Sequence, residues 1–235
     1  MAYESRTVLE FRNVVWKSAS YEAEDVPRLS FRLAAGEIMT VLLDRYGRYV
    51  PFCDLAAGLL TPDEGEVRFL DGAWSGLTNA EQAERRGEIG RVFEGCAWVS
   101  NLTVLDNVLL AQRHHTKRPD DEIRAEAEAL ASAAGIAPLP ELLADRVAAP
   151  DLKRAEWVRA FLGQPRLVLL EKPEQGLPDG AMGCLFDFIN AAARKGTAVV
   201  WLGISREATR DKRLTIAKGF SIEGGRWTEH PGGGG

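Results

Sequence analysis

The chain has 235 residues, 46% of them hydrophobic and 27% charged, a composition suited to one α/β domain or to one such domain with a helical insert. A formal net charge of -5 argues against a general nucleic-acid binder, whose footprint is a basic surface. No apolar run approaches the ~20 residues needed to cross a bilayer, and residues 1–12 lack the charged, apolar, small order of a secretory leader. The expected location is therefore cytoplasmic, with any membrane role reached through a partner. Cys53, Cys96 and Cys184 lie far apart with no His at metal-ligand spacing, which predicts reduced, buried thiols and no metal site. Gly232 to Gly235 read as a flexible tail or a cloning remnant.

In chain order, Val8 to Val15 and the alternating run Leu29 to Leu33 predict two antiparallel strands near a sheet edge, the second ending at a turn over Ala34 to Glu37. The apolar run Ile38 to Leu43, a loop Asp44 to Arg48 and a helix from about Tyr49 to Leu60 form the strand, loop, helix order of a phosphate-binding unit. Thr61 to Gly65 make a turn and Glu66 to Phe69 a strand. Asn79 to Arg86 favour helix, and Ile89 to Phe93 form a short apolar strand. Thr103 to Gln112, Asp120 to Ala134 and Leu152 to Leu162 predict three helices, the second with an acidic start that suits its dipole. Arg166 to Leu170, Ala181 to Ala193 and Thr197 to Leu202 then read as buried strand, amphipathic helix and buried strand. Strands alternating with helices predict a mostly parallel sheet covered on both faces.

Five phrases carry a family resemblance. "LSFRLAAGEI" (Leu29 to Ile38), "LAAGLLTPDEGEVRFLDG" (Leu55 to Gly72), "IGRVFE" (Ile89 to Glu94), "NLTVLDNV" (Asn101 to Val108) and "RAFLGQPRLVLLEKP" (Arg159 to Pro173) resemble ABC-transporter ATPases, in that family's order and spacing. Within the family, "FEGCAWVSNLTVLDNV", "RHHT" and "MGCLFDFI" are most similar to the ATPases of Mla-type phospholipid transporters, which work with Mce-domain partners. The resemblance implies a P-loop NTPase-like ABC ATPase fold: a mostly parallel central sheet, an antiparallel β edge and a helical insert at about residues 100–162. It places one ABC-ATPase-like domain over residues 1–231.

The same alignment places replaced residues at nearly every chemical position. A phosphate cradle needs glycines so that backbone N–H groups can approach the anion, a Lys for charge and a hydroxyl for Mg²⁺. Leu43, Tyr46 and Arg48 stand at the three glycines, Tyr49 at the Lys, and Val50 and Pro51 at the hydroxyls, with Asp44 adding a carboxylate. Glu94 stands at the glutamine. Val147, Ala148, Ala149, Pro150 and Asp151 stand at the signature sequence, with Asp151 as a candidate helix cap. Glu171 and Lys172 end the Walker B strand, and a lysine cannot accept the attacking water's proton at neutral pH. Pro178 replaces the D-loop aspartate, with Asp179 one place late, and Ile204 replaces the switch histidine.

Phosphoryl transfer depends on positioning and charge stabilisation, so altering several elements together predicts a catalytically inactive chain with no catalytic residues, no nucleotide-binding residues and no cofactor. The expected role is structural or regulatory: a partner of a membrane permease subunit or an Mce-domain transport component, with lipid as the candidate cargo, peripheral to the inner membrane. A homodimer or a heterodimer with an active ABC ATPase follows from the family's head-to-tail pairing. One alternative is an ABC ATPase that binds or slowly hydrolyses ATP with Mg²⁺ in a rebuilt site of Arg45, Arg48, Glu94 and Glu171; another is a soluble protein-binding regulator. Trp98 reads either as a partner contact or as a ring packed on the helical insert. Trp16 or Tyr21 falls where the family stacks adenine, against the plainer reading of an aromatic covering the core edge. His114 and His115 read as a solvated helix end.

Overall fold

A computed structural model describes residues 6–17, 28–43, 51–95, 97–177, 181–203, 211–223 and 226–231. Three strands open the chain, β1 (Thr7–Val15), β2 (Leu29–Ala34) and β3 (Ile38–Leu43), before a short helix, α1 (Phe52–Ala56). Strands β4 (Glu64–Phe69) and β5 (Gly72–Ala73), helix α2 (Asn79–Arg86) and strand β6 (Ile89–Val92) follow. Next come helices α3 (Val104–His115), α4 (Asp120–Ala134) and α5 (Ala149–Phe161). Strand β7 (Leu167–Glu171), helix α6 (Met182–Arg194), strand β8 (Ala198–Leu202) and the hairpin β9 (Lys218–Glu223) with β10 (Arg226–Pro231) follow among the described residues.

The strands form two sheets. One is antiparallel, in the order β2-β1-β4-β5; the other runs β10-β9-β3-β8-β7-β6 and is parallel apart from β10 at its edge. The expected mostly parallel sheet with antiparallel strands is present. β1 and β2 are antiparallel as expected, and they belong to a sheet of their own with β4 and β5.

Strand periodicity sorts the core. Successive side chains of a strand point to opposite faces. Leu167, Leu169, Ala198, Val200 and Leu202 accordingly pack with α1 and the antiparallel sheet, while Val168, Leu170, Val199 and Trp201 pack with α3 to α6. That double burial is why β7 and β8 read as continuous apolar runs.

Several boundaries differ from the sequence reading for local reasons. The helix expected to reach Leu60 ends at Ala56, because Leu59 and Leu60 both donate to the Asp54 carbonyl and Gly58 takes a left-handed φ of +63°. A side chain at Gly58 would also meet the Trp74 ring, with Cβ 2.3 Å from Cδ2. Helix α5 starts at Ala149, three residues earlier than expected. Pro150 is tolerated in the first turn, where its missing N–H has no intrahelical partner to lose. Asp151 does not cap this helix: the N-cap is Ala148, without a side-chain bond, and Asp151 lies 3.6 Å from Arg154.

Helix α2 buries no side chain, so its terminus has to be secured locally. Thr78 Oγ1 accepts from the Glu81 N–H at 3.3 Å and Glu81 Oε2 accepts from the Thr78 N–H at 2.8 Å, a reciprocal capping box. Thr78→Ala is expected to lower the unfolding free energy by about 1 kcal/mol in chemical denaturation.

Cys53 is buried and Cys184 half-buried, both free, whereas Cys96 lies outside the described residues. Among the described residues no helix is long and apolar enough to cross a membrane.

Candidate functional site

In a parallel sheet, ligand sites form beyond the carboxyl ends of the strands. Here β3 ends at Leu43, β7 at Glu171 and β8 at Leu202. Arg91 pairs in register with Leu169, and Glu171 lies two residues further along β7, so periodicity puts Arg91 and Glu171 on the face that meets α1. Helix α1 supplies Asp54 to the same place.

The three side chains form one ionic unit. Arg91 Nε lies 2.5 Å from Glu171 Oε1, and Arg91 Nη1 lies 2.6 Å from Asp54 Oδ1. The arginine and the glutamate are each only 11% exposed in their side chains. The guanidinium also sits 4.5 Å from the Phe93 ring centroid, within cation–π range. Burial works against the Arg91 charge, but the bonds to Glu171 and Asp54 outweigh it and raise the pKa. Burial, reinforced by the Glu171 charge, pushes the neighbouring Cys53 thiol well up. Cys53 is therefore a neutral thiol and no nucleophile at neutral pH.

A second pair lies one residue beyond the strand. Lys172 Nζ contacts Glu94 Oε1, joining the end of β7 to the segment that leaves β6. Both side chains are more exposed than the Arg91 unit, at 37% and 47%. Lys172 adopts a left-handed φ of +43°, which side-chain-bearing residues rarely take.

Between β6 and α3 the chain is held from the helical side. Arg159 Nη1 donates to the Ala97 carbonyl at 2.6 Å, and its guanidinium sits 4.8 Å from the Trp98 ring centroid. Trp98 is half-buried against the helical core, and among the described residues its Nε1 is enclosed without an acceptor, as is Arg159 Nη2. The ring packs on the helical insert, with part of its surface left accessible. Val99 beside it is exposed.

Of the residues singled out from sequence, Glu94, Glu171 and Lys172 come together here. Leu43 is the last residue of β3, and Pro51 is buried at the N-cap of α1. Val147 to Asp151 lie on another element, the turn into α5, with Ala148 and Ala149 exposed. Tyr21, Asp44, Arg45, Tyr46, Arg48, Tyr49, Val50, Pro178, Asp179 and Ile204 lie outside the described residues. Trp16 is half-buried against the antiparallel-side core. His114 and His115 are exposed at the end of α3. Sequence reasoning missed Arg91 and Asp54. The available signal was a lone arginine inside an otherwise apolar strand, which needs a buried counter-charge.

The fold is that of an ATP-binding cassette of the ABC-transporter type. It superimposes on a dimeric post-hydrolysis state of the ATP-binding cassette MJ0796 bound to ADP and Pi with a TM-score of 0.83 at 18% identity, over 97% of this chain and 99% of that one. A nucleotide-free ATP-binding cassette from an ABC transporter gives 0.73 at 18% identity, over 96% and 92%. In sequence the chain is 24% identical over 185 residues to the intermembrane phospholipid transport system ATP-binding protein MlaF of Haemophilus influenzae, covering 79% of this chain and 69% of that protein. It is also 21% identical over 203 residues to the ribose import ATP-binding protein RbsA of Clostridium tetani, covering 85% of this chain but only 39% of the relative's length. No protein-family model matches the chain. The resemblance to ABC-transporter ATPases, the phospholipid-transport ATPases among them, therefore holds in fold and in relatives.

Proposed function

We propose that this chain is a catalytically silent counterpart of an ABC-transporter ATP-binding subunit, acting as a structural or regulatory partner of a membrane transporter. One observation carries the reading: the two carboxylates that the resemblance sets at the magnesium-handling positions are both paired with cations of the chain itself, Glu171 with Arg91 and Glu94 with Lys172. A divalent ion there would have to displace a buried guanidinium held by two carboxylates, which supports a site without magnesium. Lys172 offers no acceptor for a proton from attacking water. The residues at the expected cradle and signature positions, Leu43 at the end of β3, Pro51 at the N-cap of α1 and Val147 to Asp151 at the start of α5, support the same reading from the sequence.

The cargo assigned by this reading is lipid, on the strength of the similarity to MlaF, and the partner is a permease or an Mce-domain component. Pairing with a second cassette, of its own kind or active, follows from the fold it shares with a dimeric one. The deciding measurement is isothermal titration of the pure chain with Mg-ATP, accompanied by a phosphate-release assay. No heat of binding at micromolar protein and no turnover are expected. Micromolar binding, or turnover that Glu171→Gln abolishes, would replace this reading with that of a rebuilt ATPase site.

A further inference from the structure

We propose that Glu94 and Lys172 form a latch that ties the strap between β6 and α3, described at residues 93–95 and 97–103, to the end of β7, so that the layer of α3 to α5 keeps one setting on the sheet without a ligand. The strap's other polar anchors come from the helical layer. Asn107 on α3 is buried and donates from Nδ2 to the carbonyls of Val99 at 3.1 Å, Leu102 at 3.2 Å and Thr103 at 2.9 Å, while its Oδ1 accepts from the Val99 N–H at 2.8 Å. Arg159 on α5 holds Ala97 and stacks over Trp98. Between residues 97 and 103 the strap is therefore built into the helices. Glu94 at its near end is held from the other side, by the residue that directly follows β7.

The backbone of Lys172 is the second observation. A left-handed conformation at a residue with a long side chain is unfavourable by itself and persists where neighbours over-determine it. Here the Lys172 N–H donates to the Leu202 carbonyl at 3.0 Å, and its own carbonyl accepts from the Gln175 N–H at 3.1 Å. Trp157 Nε1 of α5 donates to the Pro173 carbonyl at 3.1 Å, fixing the next residue. Glycine would fit this turn without strain. The lysine places its ammonium on Glu94 instead, and the two residues have complementary charge where the family resemblance implies glutamine and glutamate. The latch uses a pair on which the proposed function also draws, but it is tested without nucleotide, so its failure and the failure of that reading are distinguishable.

Amide hydrogen exchange of the full chain tests it, without added nucleotide. Because the pair is partly exposed, each of Glu94→Gln and Lys172→Gly is expected to speed exchange across 93–103 by about two- to fivefold, with α6 and β8 unchanged. The reversed pair, Glu94→Lys with Lys172→Glu, is expected to return the strap to the wild-type rate. Lys172→Gly also relieves the left-handed backbone, so its denaturation midpoint is expected to stay level or rise, which separates a loosened strap from a loosened fold. Unchanged strap exchange in both single variants overturns the latch. So does a reversed pair that exchanges as fast as Glu94→Gln.

Discussion

Arg91→Met is expected to lower the unfolding free energy by about 3 to 5 kcal/mol, the range for removing one partner of a buried ion pair. Methionine keeps an unbranched chain of similar reach over Phe93, so the loss is electrostatic more than steric. The arginine lies between Glu171 and Asp54, and removing it brings together two carboxylates that it now holds apart in charge. Two further results follow from the same geometry. Millimolar magnesium chloride is expected to raise the melting temperature of Arg91→Met and to leave the wild type unchanged, because only the variant offers facing carboxylates without their guanidinium. Adding Glu171→Leu to Arg91→Met is expected to recover most of the loss, since an apolar replacement removes the stranded charge along with its partner. Thermal melts with and without the salt decide the matter: a wild type stabilised by magnesium to the same extent contradicts the assignment of Arg91 as an internal cation.

Gly90→Ala is expected to cost about 3 kcal/mol, at the upper end for inserting a methyl group into a packed interface. A Cβ on Gly90 would stand 1.8 Å from the Ala160 carbonyl oxygen and 2.8 Å from its carbon. Both atoms are backbone of α5, so relief requires the helix to retreat from β6. That helix carries Arg159 and Trp157, and its retreat would loosen the contacts to Ala97 and Pro173 together. Gly76→Ala is the control. Nothing lies within 4 Å of its added methyl, and a change within about 0.5 kcal/mol is expected there. Urea denaturation followed by tryptophan fluorescence measures both, and equal effects at the two positions would contradict the close approach of α5.

Much of the fold could be read from the sequence because its signals are short-range and strong. The helical stretch Asp120 to Ala134, with its acidic start, matches the bounds of α4, and the doubly buried β7 and β8 announced themselves as unbroken apolar runs. The β9 and β10 hairpin was not anticipated. Its turn signal, Gly224-Gly225 between two alternating runs, was present, but the strands carry Lys218, Glu223, Arg226, Glu229 and His230, and the apolar pattern is thin.

The site was legible only in part. Glu94, Lys172 and Glu171 were each visible as substitutions, yet their pairing depends on which strand neighbours which. β6 and β7 are separated by three helices in the chain, and only their parallel register sets Arg91 beside Glu171. Long-range register of that kind leaves no trace in local periodicity.

The division of the core by strand parity has a further effect on how this chain tolerates change. Odd and even positions of β7 and β8 serve two hydrophobic compartments that do not share side chains, while Glu171 and Lys172 sit at the end of β7 and just beyond it. Chemistry at the rim and solidity within are thus governed by separate sets of residues. Replacing residues of the first set leaves the packing of the second undisturbed.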